Sequence, residues 1–224
     1  MGIQITVRHG YIIAITGCMK SGKSSFADAI INKERHSNKI MILIFTPIIG
    51  RRKITVTNTE TKIDQVNMLV TRNGSTHDAI EFPENEPEFI LEYVRRVRAE
   101  HPDMLITVII EEAHFCSPKL LQVVKDLAEL YDCKTIVVGL DQKSTEEGFG
   151  PMPEILKEAD VVHKLQAVCE ICGDLHATKS YLRPELQKKL DQGNILVGDD
   201  FTVLCRHCNR AQKEKDAALS AQQP

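Results

Sequence analysis

No run of apolar residues in this 224-residue sequence reaches 18, so no transmembrane helix is expected. Residues 1–4 (MGIQ) lack a charged segment followed by an apolar stretch, so they do not read as a secretory signal. Excess charge is missing too: 28 Lys and Arg stand against 31 Asp and Glu, a net charge of −3. That balance argues against a broad phosphate-backbone footprint. Neither nucleic acid nor a membrane is therefore expected as a direct partner. Tryptophan is absent and tyrosine occurs four times, which excludes nothing. Composition excludes a collagen-like, coiled-coil or wholly disordered chain.

What is present is ordinary for a globular protein, 42% apolar and 26% charged. The length suits one sizeable core, or one core with a small appended module. Seven cysteines occur. Four form two Cys-x-x-Cys pairs, Cys169/Cys172 and Cys205/Cys208; Cys18, Cys116 and Cys133 are scattered. An odd count without a secretion signal fits a reducing, cytoplasmic setting, where such pairs bind metal or do redox work.

Residues 11–16 (YIIAIT) and 39–45 (KIMILIF) read as strands buried on both faces. Between them, residues 23–32 carry Phe26, Ala29 and Ile30 at helical spacing. Strand, helix, strand predicts a parallel sheet with a right-handed crossover. Residues 51–60 are polar and Thr-rich and read as a hairpin or loop, and residues 65–71 as a weaker strand. A helix is expected over 86–100, the strongest strand over 104–110 (MLITVII), and a further strand over 134–140. Ser117 and Pro118 suggest an N-cap and first position of a helix between those strands. The alternation predicts an α/β fold.

The pattern changes near residues 149–153 (FGPMP), which puts a boundary at about 150–165. The expected division is 1–155, a nucleotide-binding domain; 156–212, a zinc-binding domain; and 213–224, a flexible tail. Within the second domain, residues 161–168 and 195–197 read as strands and 183–191 as a helix; the polar tail from residue 211 is expected to fray.

Residues 17–24 (GCMKSGKS) match G-x-x-x-x-G-K-[ST] at every fixed position, between a buried strand and a helix. Such a loop curls backbone N–H groups around phosphate oxygens, and the following helix adds the positive end of its dipole. Gly17, Cys18, Met19, Lys20, Ser21, Gly22, Lys23, Ser24 and Ser25 are the candidate ATP-binding residues. Lys23 would place a charge on the phosphates, and the Ser24 hydroxyl would ligate Mg²⁺. Glu111 and Glu112 end the strong strand, where ligand crevices open in parallel sheets. One acid there can hold Mg²⁺ and its neighbour can act as a general base; alternatively, both simply begin the next helix. The four paired cysteines, with 32 residues between the pairs, form the donor set of a structural Zn²⁺ site. His114 either contacts substrate or is a hydrogen-bonded structural residue. Asp141 either faces the crevice or caps a turn. Lys188 and Lys189 read as a solvated helix face.

A P-loop, a strand-end acid pair and a late Cys₄ site together resemble the zinc-containing type II thymidine kinases. Residues 110–115 (IEEAHF) resemble that family's I-D-E-x-Q-F. Residues 139–141 (GLD) with 148–153 (GFGPMP), 164–169 (KLQAVC) and 205–208 (CRHC) resemble three more of its segments. The resemblance implies a P-loop NTPase-like parallel sheet flanked by helices, with a small C-terminal zinc-ribbon or lasso domain. It implies Glu112 as the catalytic base for a nucleoside 5′-hydroxyl and Glu111 as the Mg²⁺-linked acid. It also implies nucleoside contacts at Met19, Arg52, Phe115, Leu140, Ser144, Phe149, Lys179, Val197, Gly198 and Phe201. ATP as co-substrate, structural Zn²⁺, and a homotetramer follow from the same resemblance.

Several positions depart from the family pattern. Glu111 replaces Asp, His114 replaces Gln, and Gly50 replaces an Asp. Ser144 stands where an aromatic packs on the base, Lys179 stands near a Thr, and Phe201 replaces a Tyr. The expected activity is ATP-dependent phosphorylation of a pyrimidine deoxynucleoside to its 5′-monophosphate for DNA precursor salvage. The alternatives are a kinase for a 5-substituted deoxyuridine, a P-loop ATPase with a zinc ribbon, and a paralogue that binds nucleotide without turnover. From Lys164 to Asp216 nine Lys and Arg oppose eight Asp and Glu, which is not a basic ribbon for nucleic acid.

Overall fold

The computed structural model describes residues 10–48, 66–70, 76–191 and 200–221. Its elements are β1 (Tyr11–Gly17), α1 (Lys23–Glu34), β2 (Ile40–Pro47), β3 (Val66–Val70), β4 (Thr76–Phe82), α2 (Glu88–Glu100), β5 (Leu105–Ile110) and α3 (Leu120–Glu129). They continue with β6 (Lys134–Gly139), α4 (Met152–Glu158), β7 (Val161–Leu165), β8 (Lys179–Tyr181), α5 (Pro184–Asp191), β9 (Thr202–Leu204) and α6 (Arg206–Ala221). Seven strands form one sheet in the order β3-β4-β2-β5-β6-β1-β7. All neighbours are parallel except β3, which runs antiparallel to β4 at one edge.

The continuous apolar strands have the physical cause expected of them. Ile13 and Ile15 of β1, Ile109 of β5, and Ile136 and Val138 of β6 pack with Ala27 and Ile31 of α1. Their alternates Ile12, Ile106, Val108, Ile110 and Val137 pack with α2 and α3 through Ile90, Val94, Leu120 and Val124. Side chains alternate between faces along a strand, so a sheet covered on both sides needs apolar residues at every position.

Strands β1 and β2 are consecutive in sequence, yet β6 and β5 lie between them. This order sets the ends of β1 and β5 on either side of β6. A separate antiparallel pair, β8 and β9, forms the ribbon, with Tyr181 opposite Thr202 and Lys179 opposite Leu204. Its small core unites Ala177, Tyr181, Val203, Leu204 and three of the paired cysteines with Cys18 of the loop after β1.

Two expectations are corrected and two elements are added. Ser117 does not cap α3: the helix begins at Leu120, and the Ser117 hydroxyl is buried without a hydrogen-bond partner. Residues 76–82 (THDAIEF) escape a sequence reading because three of the seven are His, Asp or Glu, but pairing with β2 makes them β4. Helix α4 hides in a Pro-rich stretch whose prolines sit at its start, the positions where a helix tolerates them. The expected frayed tail is helical through Ala221, tied down where the Tyr181 hydroxyl donates to Asp216 (2.6 Å). The Thr-rich stretch 51–60 and the strand expected at 195–197 lie outside the described residues.

Candidate active site

The loop after β1 turns tightly. Gly17 takes φ 143°, and a Cβ there would stand 2.3 Å from the Leu165 carbonyl oxygen of β7, so only glycine permits the adjacent strand. Lys20 (φ 59°) and Gly22 (φ 85°) are left-handed, and α1 starts at Lys23 with Ser24 and Ser25 in its first turn. Successive N–H groups at such a turn and helix start make a concavity suited to anions. Lys23 Nζ folds back over the loop and donates to the carbonyls of Cys18 (2.7 Å) and Gly17 (3.2 Å). Burial pushes its ammonium below the ordinary lysine value, against the pull of Glu112, Cys18, Asp141 and Glu111. The Ser21 hydroxyl is buried without a partner.

The two acids beyond β5 occupy opposite environments. Glu111 is 4% exposed. Burial foremost, then the charges of Glu112 and Asp28, push its carboxyl up to about 8, with Lys23 opposing. Glu112 keeps 39% of its side chain exposed and holds a left-handed backbone, φ 50°. A short 3₁₀ turn, Ala113–Phe115, follows it. A non-glycine residue in that region costs about 1–3 kcal/mol and persists only where its surroundings impose it.

His114, in that turn, is buried and its Nδ1 accepts from the Leu140 N–H (3.2 Å). Its ring lies 4.2 Å from Phe115 and 4.5 Å from Phe149, and those two rings meet edge to face at 5.6 Å. Phe115 is exposed and Phe149 half-buried, which leaves an apolar wall beside Glu112. Leu140 is buried next to it. Asp141 faces the crevice: it is buried, accepts an ion pair from Lys164 (2.6 Å), and acts on Lys23.

The ribbon closes against the loop through three consecutive residues. Cys18 Sγ donates to the Ala177 carbonyl (3.4 Å), and Met19 N–H donates to Ser180 Oγ (2.9 Å). Lys20 Nζ reaches Glu170 (2.7 Å) and the Phe201 carbonyl (3.2 Å). Ser144 donates to Gln187 of α5 (2.8 Å). Lys179 is buried and engaged by Gln142 and Glu146, both at 3.2 Å; Asn209 and Lys213 of α6 also bond Glu146. Arg52, Val197 and Gly198 lie outside the described residues.

The four paired cysteines converge with all sulfurs within 4.8 Å of one another, and Cys172 and Cys205 are 3.8 Å apart. A tetrahedron with Zn–S bonds of about 2.3 Å has edges of about 3.8 Å, so the donor set can hold such an ion. Burial raises the Cys169 thiol, but the N–H groups of Cys205, Cys172 and Ile171 outweigh it and bring the group to about 6. All seven cysteines are free thiols.

Sequence reasoning missed the partners more than the residues. Ser180 and Glu146 carry no local motif, neither does the buried pair of Asp28 on α1 with His77 on β4 (2.5 Å), and the segment 164–169 gives no sign that Lys164 pairs with Asp141. Each is visible only once distant segments meet.

A parallel sheet with a phosphate-binding loop at one strand end, an acid pair at another and a cysteine ribbon across the mouth defines a P-loop phosphotransferase. The thymidine kinase family profile matches residues 10–209. The chain belongs to the thymidine kinase family and is a nucleoside kinase acting with ATP. It is 31% identical over 194 residues to the thymidine kinase of Mycoplasma genitalium, covering 86% of this chain and 78% of that one. It is 32% identical over 210 residues to the thymidine kinase of Metamycoplasma arthritidis, covering 92% and 94%. Among solved structures it is similar to the genome packaging NTPase B204 of Sulfolobus turreted icosahedral virus 2. That likeness has 15% identity, covers 72% of this chain and 76% of that one, and has a TM-score of 0.44, too distant to bear on the site. The matches over nearly the whole chain favour a thymidine kinase over the modified-nucleoside and ATPase alternatives. No described helix is long and apolar enough to cross a membrane.

Proposed function

We propose that this chain transfers the γ-phosphate of ATP to the 5′-hydroxyl of thymidine, with the site residues named from its sequence in the roles given there. The observation that carries the proposal is the shared crevice. The P-loop and Glu112 leave the sheet at the ends of β1 and β5, close enough that Glu112 is the acid acting most strongly on Lys23.

The chemistry follows from the groups present. The N–H groups of residues 17–25 cradle the phosphates, and Lys23 exchanges its two loop carbonyls for phosphate oxygens. The Glu112 carboxylate takes the proton of the 5′-hydroxyl as that oxygen bonds to the γ-phosphorus. The bond from phosphorus to the β-bridging oxygen breaks, and ADP leaves. Glu112 suits a base because it is partly solvated, whereas Glu111 is buried and resists ionisation. That resistance also fits Glu111 to a divalent cation, which relieves a buried carboxylate. When bound, Mg²⁺ held by Ser24 and Glu111 would neutralise phosphate charge. Positioning and electrostatics supply most of the acceleration in such reactions. Phe115 and Phe149 offer the base an apolar face, with Met19, Leu140 and Phe201 around it.

The cysteine set supports structural Zn²⁺, with the chain between the two pairs closing over the nucleoside. The resemblance supports a homotetramer, to be checked by light scattering, and the free thiols support a cytoplasmic setting. The decisive assay incubates the purified protein with Mg-ATP and thymidine and reads product mass. Thymidine 5′-monophosphate is the expected product. Release of phosphate without nucleotide formation would sink the proposal.

A further inference from the structure

The turn that follows Glu112 seats a histidine the mechanism above does not use. We infer that His114 is a positioning residue for Glu112: a neutral imidazole whose Nε2–H faces the Glu112 carboxylate and aims it at the 5′-hydroxyl. This inference rests on Glu112 being the base.

The geometry assigns the tautomer. His114 Nδ1 accepts from the Leu140 backbone N–H, so in a neutral ring the proton resides on Nε2. Nε2 stands 3.4 Å from Glu112 Oε2, within reach of a bond that tightens when substrate closes the site. The ring is 2% exposed and held between Phe115 and Phe149. Its backbone is clamped as well: a Cβ on Gly150 (φ 53°) would lie 2.1 Å from the His114 carbonyl oxygen. Burial first, then the Lys23 charge, push the imidazole down to about 3, which keeps it uncharged in working conditions. A neutral donor orients a carboxylate while leaving its charge available to take a proton; an imidazolium would compete for that charge. The left-handed backbone of Glu112 points the same way, since a strained conformation needs neighbours that impose it.

The test compares E112Q, H114Q, H114L and the double variant E112Q/H114L, assayed with Mg-ATP and thymidine. H114L should lower kcat roughly ten- to a hundredfold, the scale of a misplaced reacting group, with both KM values changed less than about twofold. H114Q retains a side-chain N–H and should recover most of that loss. In the double variant, H114L should cost nothing beyond E112Q, because no base remains to be aimed. Parent kcat in H114L, an equal loss in H114Q, or additive losses in the double variant would each overturn the inference. If E112Q itself keeps parent kcat, the base assignment fails rather than the positioning alone. Should H114L not fold, nitrogen NMR of the parent imidazole decides: the Nε2–H tautomer is expected, and the Nδ1–H tautomer overturns the inference.

Discussion

The sheet end and the cysteine ribbon meet at the P-loop, but different forces hold them. The sheet end rests on two large cores, and Ile15, Ile109, Ile110 and Ile136 beneath the crevice are fully buried. The ribbon has two strands of three residues each and a small core that borrows Cys18 and Met19 from the loop. So little buried apolar surface does not fix a fold by itself. Contacts to the loop, together with the proposed metal on the four thiolates, supply the rest. On the proposed reading, the well-packed sheet end carries the phosphate chemistry and the ribbon contributes to holding the nucleoside.

The largest effect should come from the sheet end. Lys23→Ala should abolish turnover yet leave the fold intact, because the loop that loses the two carbonyl bonds of the ammonium is still set by the tight turn at Gly17 and Gly22 and by the ribbon contacts of Cys18, Met19 and Lys20. Parent-rate phosphorylation by K23A would break the assignment of this loop.

Next in size is the loss of metal. Cys205→Ser, or chelation of the full-length protein, should strip hydrogen-exchange protection from β8, β9 and residues 18–20 while β5 and β6 keep theirs. Thymidine KM should rise more than ATP affinity falls. A C205S protein with full protection in the ribbon, or a purified protein with no zinc by metal analysis, would erase the contrast between the halves.

A smaller effect concerns acid stability. His114 titrates at about 3 when folded and at about 6.5 when unfolded. The unfolded chain therefore binds more protons between those values. The stability this group contributes is fully present above about 6.5 and is lost as pH falls toward 3. H114Q should lose stability less steeply than the parent across that window, by up to about 1.4 kcal/mol per pH unit. Parallel denaturation curves for the two proteins would contradict the buried neutral ring.

The smallest effect belongs to the bond across the boundary. Lys20 and Glu170 keep 28% and 38% of their side chains exposed. Solvent screens such pairs, which contribute about 0.2–1 kcal/mol. K20M should lower stability within that range, read by denaturant titration. A loss several times larger would mean the ribbon depends on this pair rather than on its metal.

How much of this was legible from sequence follows the same divide. The P-loop, the acids at residues 111 and 112 and the cysteine pairs announce themselves because their chemistry sits within a few consecutive residues or a fixed spacing. The apolar strands β1, β2, β5 and β6 were equally plain, since a two-faced sheet leaves no polar alternation. What stayed hidden depends on partners far apart in the chain. Met19 meets Ser180 across 161 positions and Asp28 meets His77 across 49, and no local pattern encodes either. Of the two options open for Asp141, folding selects the crevice by bringing Lys164 to it. The charge at Lys179, at a position matched to the nucleoside pocket, has its partner in Glu146, on the loop beyond β6. The helical tail was obscured by a polar composition that is stabilised through contacts such as Asp216 with Tyr181 rather than through a continuous apolar face.

The central claim is that adjacent carboxylates do different work because one is buried and the other is partly solvated. It is tested most directly by kcat and ATP affinity in Glu112→Gln beside Glu111→Gln. The account predicts that E112Q lowers kcat by roughly 10²–10⁴-fold, the range of a general base, with ATP affinity nearly unchanged. A harmless E112Q beside a dead E111Q would contradict it and reverse the two roles.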